Sequence, residues 1–200
     1  MEAAVELVAE RGYDGFTFSD VGERAGYSYG LVPHYFGKKE VLLAEAAENV
    51  IHNFSHYDVA LNSEEQGLRR IKAIVSVYID SCEVEAKKTK ALHVLLGAAL
   101  TRESLHARLQ QLTQETVAKI ESEIVGGQRK GNISSGVDPH ASAIILAGML
   151  RGCVNLVLID DTVDLRASKP EVMRWIDASL GAEHLGEGLA RQTAGRGDKQ

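Results

Sequence analysis

The segment DVGERAGYSYGLVPHYFGKKE, residues 20–40, holds two short apolar stretches separated by a glycine. Ser19, just before it, is placed to cap a short helix that carries Val21 and Ala25, and Ser28 is placed to cap the next helix. The glycine between them can end the first helix by adopting a positive φ. Two short helices joined by a tight turn are typical of a helix-turn-helix. We therefore predict that Val21 and Ala25 pack inward and that the second of these helices projects outward.

Near the end of this segment, a proline falls inside the expected third helix. Pro33 lies about one turn after Ser28, where we expect it to remove one helix hydrogen bond and to kink the helix rather than destroy it. Phe36 is expected to return to the core. Lys38 and Lys39 then open a long fourth helix, whose exposed N–H groups and dipole favour a phosphate.

The composition is that of an ordinary globular protein. Of the 200 residues, 44% are hydrophobic and 25% are charged, and the net charge is −6. An acidic balance argues against general binding of polyanions, although a local surface can still contact nucleic acid. Cys82 and Cys153 stand far apart without a CxxC motif, which predicts a reduced, cytoplasmic protein with two buried thiols. The first residues lack the basic flank and apolar run of a signal peptide.

Helical periodicity runs through the whole chain, without strand-like alternation of any length. We predict an all-α fold of about nine helices, in which an N-terminal three-helix group forms the helix-turn-helix and a larger helical bundle follows. The first helix should stop at Gly12, and a long helix should end near GGQRKGN, residues 126–132. Asp138 and Pro139 form a helix start signal for a helix that runs to about Ile159.

Three further boundaries follow from local patterns. The stretch EAKKTK, residues 85–90, is expected to separate two helices. Ser168 and Glu171 have capping-box spacing and should open the last helix, which runs to about Leu180. The stretch LNSEEQG, residues 61–67, should break the chain between the fourth and fifth helices.

The stretch ASAIILAGMLRGCVNLVLI, residues 141–159, approaches the length of a membrane span. Arg151 falls inside it and Asn155 follows one turn later, and a charge near the centre of a span is costly. We therefore predict a buried helix and no membrane contact. The polar side chains need partners, which can come from a ligand, from another helix or from a second subunit. We favour helix packing or a dimer.

Residues 2 to about 48 resemble the DNA-binding domain of the TetR family of bacterial transcriptional regulators. The resemblance is carried by AAVELVAERGYDGFTFSDVGERAG and SYGLVPHYFGKKEVLL, in which the spacing from ERGYDG to HYF and KE follows the family pattern. Beyond residue 50, only the length, the helix count and the GQRKGNI link before a DP pair are similar. The resemblance implies a DNA-binding domain at 1–48, a ligand-binding and dimerisation helical domain at 49–182 and a flexible tail at 183–200.

By this resemblance, eight positions would contact DNA. Phosphate contacts would fall to Thr17, Ser28, Tyr35 and Lys39. Base edges would face Tyr29, Gly30, Leu31 and His34. Leu31 replaces a frequent polar residue of the family, so it would read apolar surface such as a thymine methyl group. Gly22 replaces the usual alanine, which should cost roughly 1 kcal/mol of helix stability.

Three departures from the family pattern favour an alternative. Residues 1–50 hold nine Asp or Glu against four Lys or Arg. Family members usually begin with a basic arm, so either the arm is absent or the chain starts late relative to the native protein. Pro33 replaces a tyrosine that usually contacts DNA. The alternative is an all-α dimeric enzyme or ligand carrier that has lost DNA binding.

Candidate ligand and metal positions are weaker signals. An effector cavity could be lined by Tyr78, Cys82, His93, Asn155 and Trp175, although each could equally belong to the core. His52 and His56 have metal-pair spacing without a third ligand, so we predict no metal. No nucleophile elbow, P-loop or paired-carboxylate motif stands out, so we predict neither a cofactor nor an enzyme.

The resemblance therefore implies a homodimeric, ligand-responsive repressor. It would be released from a palindromic double-stranded DNA operator by an unknown small-molecule effector. The dimer would form as a four-helix bundle from residues 139–160 and 168–181 of each subunit, so that two third helices enter successive major grooves. The sequence does not determine whether the protein represses or activates transcription, and it does not identify the effector or the operator.

Overall fold

The computed structural model describes residues 1–28, 30–59 and 67–182, without the side chains of residues 53–59. Within these residues it contains nine helices and no extended strand, which confirms the all-α prediction. The helices are α1 (Glu2–Arg11), α2 (Phe18–Ala25), α3 (Leu31–Phe36), α4 (Lys39–Val59), α5 (Leu68–Val84), α6 (Ala86–Ala99), α7 (Glu103–Lys130), α8 (Pro139–Ile159) and α9 (Leu165–Leu180). The predicted tail and all but Gly67 of the predicted break lie outside the described residues.

The first compact unit comprises residues 1–58 and 81–115, so it contains α1 to α4, α6 and the first half of α7. Apolar residues at helical spacing on α1 enter its core, and α1 packs against both α6 and α2. The largest fully buried side chains of this unit include Leu7, Leu42, Leu43, Leu95, Leu105 and Leu112. The short helices α2 and α3 therefore rest on a core that other helices supply.

The second unit comprises residues 59–80 and 116–200, of which the structure describes 67–80 and 116–182. A tight node joins the link after α7 to the start of α5, because Asn132 Oδ1 accepts a hydrogen bond from the Leu68 N–H at 3.1 Å. A Cβ atom added to Gly127 would lie 2.6 Å from Ile133 Cδ1, so a glycine is required for this approach. The Ser134 N–H donates to the Leu180 carbonyl at 2.9 Å and so fixes the end of α9.

Several predicted helix boundaries are confirmed. α1 ends at Arg11, and Gly12 follows it with a φ of 75°. α7 ends at Lys130, inside the predicted glycine-rich stretch. The Asp138 side chain accepts a hydrogen bond from the backbone of Ala141, and Pro139 is the first residue of α8.

Other boundaries were predicted wrongly. α6 begins at Ala86, so most of the EAKKTK stretch is helical rather than a separator. α9 begins at Leu165 because Asp164, and not Ser168, accepts the capping hydrogen bond, from the Ala167 N–H at 2.8 Å. Pro170 consequently lies inside the helix. The earlier carboxylate cap prevails over the capping-box spacing.

The exposure of α8 also contradicts a prediction. α8 is long and apolar enough to cross a membrane by length and composition, with a mean hydropathy of 2.0 over its most apolar window. Only 22% of that window is buried within the chain, so the expected buried helix is wrong for a single subunit. Small and aliphatic residues on its outward side have no covering element among the described residues.

Candidate nucleic-acid interface

A capping box fixes the start of α2. The Thr17 side chain accepts a hydrogen bond from the Asp20 N–H at 3.3 Å, and Asp20 Oδ2 accepts one from the Thr17 N–H at 2.7 Å. Ser19 therefore does not cap this helix, contrary to the prediction. Hydrogen bonds from Thr17, helped by the Arg11 guanidinium 2.9 Å away, lower the pKa of Asp20 to about 2. Thr17, a predicted phosphate ligand, thus has a structural role at the entrance of the helix-turn-helix.

The turn between α2 and α3 needs a glycine. Gly26 has a φ of 73°, in the left-handed region, and its N–H bonds back to the end of α2. The Tyr27 N–H then donates to the Gly22 carbonyl at 2.8 Å. Val21 is buried as predicted, whereas Ala25 is exposed and does not pack inward. Gly22, next to Val21, is buried instead. The inner side of α2 is therefore formed by Val21 and Gly22 and not by Val21 and Ala25.

Pro33 lies nearer the start of α3 than predicted, and at that position a proline is compatible with the helix. α3 begins at Leu31, without a side-chain cap from Ser28, and Pro33 is its third residue. The N–H groups of a first helical turn have no partner within the helix, so proline costs α3 no hydrogen bond there. The His34 N–H donates normally to the Gly30 carbonyl at 3.2 Å. The predicted loss of a hydrogen bond is wrong because α3 starts later than Ser28 implies.

α3 turns one face inward and one outward. Val32 is buried, and Phe36 packs against the core of the first unit. On the other side Leu31 is 45% exposed and Tyr35 is 76% exposed. The Tyr35 and Phe36 rings meet edge to face with centroids 4.8 Å apart, which holds the base of the exposed ring. Ser28, Gly30 and His34 are also exposed, while Tyr29 lies outside the described residues.

The two lysines after α3 have different surroundings. Lys39 Nζ donates to the Phe16 carbonyl at 2.5 Å and lies 4.0 Å from the centroid of the Phe16 ring. Burial lowers the pKa of Lys39, opposed by nearby carboxylates such as Asp14. Lys39 precedes Leu42 and Leu43 by three and four residues, which places it on the core side of α4. Lys38, by contrast, is exposed. The spacing alone does not separate the two lysines, because Lys38 also precedes Leu42 by four residues.

Ion pairs occupy the other basic side chains of this region. Arg11 pairs with Asp20, and Arg24 pairs with Glu10 at 2.7 Å. Within the described part of residues 1–58, Lys38 is the one Lys or Arg side chain without an ion pair or hydrogen bond. Several acidic residues are neutralised by α6 and α7 in the same unit, through the pairs Lys87–Glu6, Arg102–Asp14 and Arg108–Glu48.

The candidate effector positions are divided between the two units. Cys82 and His93 belong to the first unit, and Tyr78, Asn155 and Trp175 belong to the second. Burial raises the pKa of the Cys82 thiol to about 11, which makes this half-buried cysteine unreactive. Asn155 and Trp175 are exposed within the single chain.

A surface cleft of about 790 Å³ opens in the first unit between α4 and the start of α7. Its lining includes Lys38, Glu45, His52 and Arg108, and none of the five candidate effector positions. Among the described residues, no group of three or more His, Cys, Asp or Glu could hold a metal ion. The side chain of His56 lies outside the described set.

Comparison with known proteins gives a consistent family. The model of the bacterial regulatory proteins of the tetR family matches residues 1–46. The HTH-type transcriptional regulator BetI of Burkholderia lata is 27% identical over 191 residues, which cover 92% of this chain and 93% of the relative. These descriptions are of transcriptional regulators and not of enzymes.

Solved structures share the fold. A TetR-family regulator from Rhodococcus sp. superimposes with a TM-score of 0.82 at 23% identity, covering 90% of this chain and 95% of that one. A regulator from Saccharomonospora viridis in complex with choline gives 0.77 at 18% identity, covering 90% and 94%. FadR from Bacillus subtilis in complex with stearoyl-CoA gives 0.72 at 19% identity, covering 88% and 94%. Together with the helix-turn-helix geometry, the comparisons show that residues 1–46 match the tetR family of bacterial regulatory proteins and that the chain is similar over most of its length to DNA-binding transcriptional regulators.

Proposed function

We propose that this protein is a cytoplasmic, homodimeric repressor that leaves a palindromic operator when a small molecule binds. The observation that carries the proposal is the outward face of α3, where Leu31, His34 and Tyr35 are exposed on a helix that Val32 anchors. A helix presented in this way can enter a major groove and meet base edges. Ser28, Gly30 and, by the family pattern, Tyr29 complete the set of contacts, and Lys38 rather than Lys39 supplies the positive charge.

The outward stripe of α8 supports the homodimer. Its exposed positions recur at helical spacing along the whole helix: His140 at its start, then Ala141, Ile144, Ile145, Gly148, Gly152, Asn155, Leu156 and Ile159. Such a long apolar stripe is unfavourable in water and marks a protein contact. A second copy covers it by twofold symmetry, since the same stripe is then offered twice. Gly148 and Gly152 in its centre leave room for close approach of the partner helix, because an added Cβ would meet nothing within 4 Å.

α9 extends this surface. Trp175 is 41% exposed on α9, and α9 packs against α8 within the second unit. Asn155 is exposed on the α8 stripe, so it would then lie at the subunit interface rather than in an effector cavity. Arg151 is half-buried, and burial lowers its pKa. It remains a candidate for an effector contact together with Tyr78.

Two effector classes follow from the relatives. One regulator of the same fold holds choline and another holds stearoyl-CoA. Choline is a small organic cation, whereas stearoyl-CoA is a long acyl chain with an anionic head. We propose that this protein responds to a largely apolar small molecule, and Arg151 favours one that carries a negative group.

The test begins with selection of DNA from a random-sequence duplex library by the purified full chain. We expect recovery of a palindromic sequence bound by a dimer, with partial release on addition of stearoyl-CoA, which has an anionic head, and no release on addition of choline. Recovery of no preferred duplex would contradict the DNA-binding function. Binding that neither compound alters would reject both effector classes while leaving the DNA-binding function in place.

A further inference from the structure

We propose that Tyr27, together with Leu31 and Tyr35, forms a neutral DNA-contact surface that reads thymine methyl groups. We further infer that operator binding depends weakly on salt. The inference rests on the proposed function and deepens it, since it names a contact residue and the kind of chemistry by which the same interface recognises DNA.

Tyr27 stands out because a large aromatic side chain is exposed in a tight turn. It is 59% exposed, although its backbone is fixed by the hydrogen bond from its N–H to the Gly22 carbonyl. The fixed turn precedes α3 by a few residues, so Tyr27 is close in the chain to the helix that we propose enters the groove.

Leu31 and Tyr35, which lie four and eight residues further along the chain on α3, are exposed as well. Three of the large exposed apolar side chains of the described residues thus lie within nine consecutive positions. Their apolar atoms match the thymine C5-methyl group and the deoxyribose ring, which are the apolar parts of a DNA groove. The two phenol groups can also donate hydrogen bonds to phosphate oxygen without carrying charge.

The number of cationic side chains available to phosphate predicts how strongly DNA binding depends on salt. Each phosphate that a cation neutralises contributes about −0.9 to the slope of log affinity against log salt. Arg11, Arg24 and Lys39 are engaged within the fold, which leaves Lys38 for DNA among the described residues of this region. Two copies of Lys38 in a dimer therefore predict a slope of about −2, well below the values of proteins that neutralise six to ten phosphates.

A second protein molecule is the competing occupant of this surface. DNA is favoured because polar groups lie between the apolar ones: Ser28, the backbone of Gly30 and His34 are exposed beside them, and Lys38 follows. A protein contact of this size would more often be continuous and apolar at its centre.

The experiment uses the duplex recovered by selection from the random library. Each thymine of one half-site is replaced by deoxyuridine, which lacks only the methyl group. We expect the affinity to fall roughly fourfold at one or two positions, as the removal of one buried methyl group predicts. The variant Leu31→Ala should bind less tightly and should no longer distinguish thymine from uracil at one of those positions.

Tyr27→Ala should weaken binding roughly tenfold or more, because it removes a large apolar side chain that DNA would cover. Tyr27→Phe separates the ring from the hydroxyl group, and Val84→Ala provides a control because Val84 is an exposed apolar residue on α5. Circular dichroism and the sedimentation coefficient verify fold and oligomeric state. A salt slope of −6 or steeper, insensitivity to uracil at every position, or unchanged affinity of Tyr27→Ala would each overturn the inference. So would a Tyr27→Ala protein that changes its oligomeric state but not its DNA affinity. If no duplex is recovered at all, the proposed function itself fails.

Discussion

The outward face of α3 and the outward stripe of α8 are both apolar and both exposed, yet they differ in what accompanies the apolar atoms. On α3, Leu31 and Tyr35 alternate with a histidine and follow an exposed glycine backbone. On α8, aliphatic side chains such as Ile145 and Leu156 surround a pair of glycines over six turns. Exposure alone therefore does not identify a partner. The polar groups between the apolar ones indicate DNA, and the small residues at the centre of a long stripe indicate a helix.

The largest expected effect is that of Gly152→Leu, which changes the α8 stripe and leaves the outward face of α3 unaltered. Within the chain an added side chain at this position meets open space, so the subunit should fold normally. In the dimer it would push the partner helix away, and we expect monomers in sedimentation experiments. DNA affinity should fall by about 100-fold or more, because two linked recognition helices bind far more tightly than one.

Gly97→Leu is the matched control for this change. Gly97 is also helical and exposed, and a Cβ there meets nothing within 4 Å, but it lies on α6 in the first unit. We expect a dimer of unchanged affinity for DNA. A Gly152→Leu protein that still sediments as a dimer would show that the α8 stripe is not the subunit interface.

The next effect distinguishes the two lysines at the α3 side. Lys39→Ala should lower the free energy of unfolding by about 1.5–3 kcal/mol, since it removes a charge-assisted hydrogen bond to the Phe16 carbonyl. Lys38→Ala should leave stability unchanged and should flatten the salt slope of DNA binding by about one per subunit. Urea unfolding and binding titrations at several salt concentrations measure both quantities. The opposite assignment of the two effects would restore Lys39 as the phosphate ligand.

A pair of glycine substitutions, one in each unit, tests the packing around Gly127 and around Gly22. Gly127→Ala forces a methyl group to within 2.6 Å of Ile133, and overpacking of this kind costs about 1–3 kcal/mol. At Gly22 the added methyl group would lie 3.6 Å from the Tyr27 carbonyl oxygen, an ordinary contact. Gly22→Ala should therefore stabilise α2 by roughly 1 kcal/mol. Thermal or urea unfolding measures the two changes, and equal effects at both positions would contradict the packing described for the node.

The helices themselves could be predicted well from the sequence, because apolar periodicity and signals such as Asp138 followed by Pro139 act locally. The predictions failed where two local signals competed. Asp164 and Ser168 could each cap α9, and the pattern alone did not show which of them would do so. Likewise Thr17 and Ser19 are both plausible caps, and only the reciprocal bonds with Asp20 decide for Thr17.

The site was predicted in outline and not in its details. The HYF and KE motifs located the exposed helix, but the roles of Lys38 and Lys39 depend on which face of α4 meets the core. The exposure of Tyr27 depends on the turn geometry at Gly26, which residue type alone does not give. The apolar character of α8 was evident from the sequence, whereas its exposure was not. A residue pattern records hydrophobicity but does not record whether the cover comes from the same chain or from another one.

The smallest expected effect is a loss of stability at low pH, and it should arise at the Asp20 cap of α2. Hydrogen bonds from Thr17 hold the pKa of Asp20 at about 2, below its ordinary value of 3.8. Because the folded pKa is the lower one, the ionised cap stabilises α2 fully above pH 3.8, and this contribution disappears as the pH falls toward 2. Unfolding of the wild type and of Asp20→Asn in urea should differ at pH 5, and the difference should shrink steadily below pH 4. A difference that stays constant over this range would mean that the carboxylate charge has no part in the cap. Asp20 belongs to the first unit and the α8 stripe to the second, whose exposed ionisable neighbour is His140 beside Glu121, so Asp20→Asn should leave the dimerisation constant unchanged at every pH in this range.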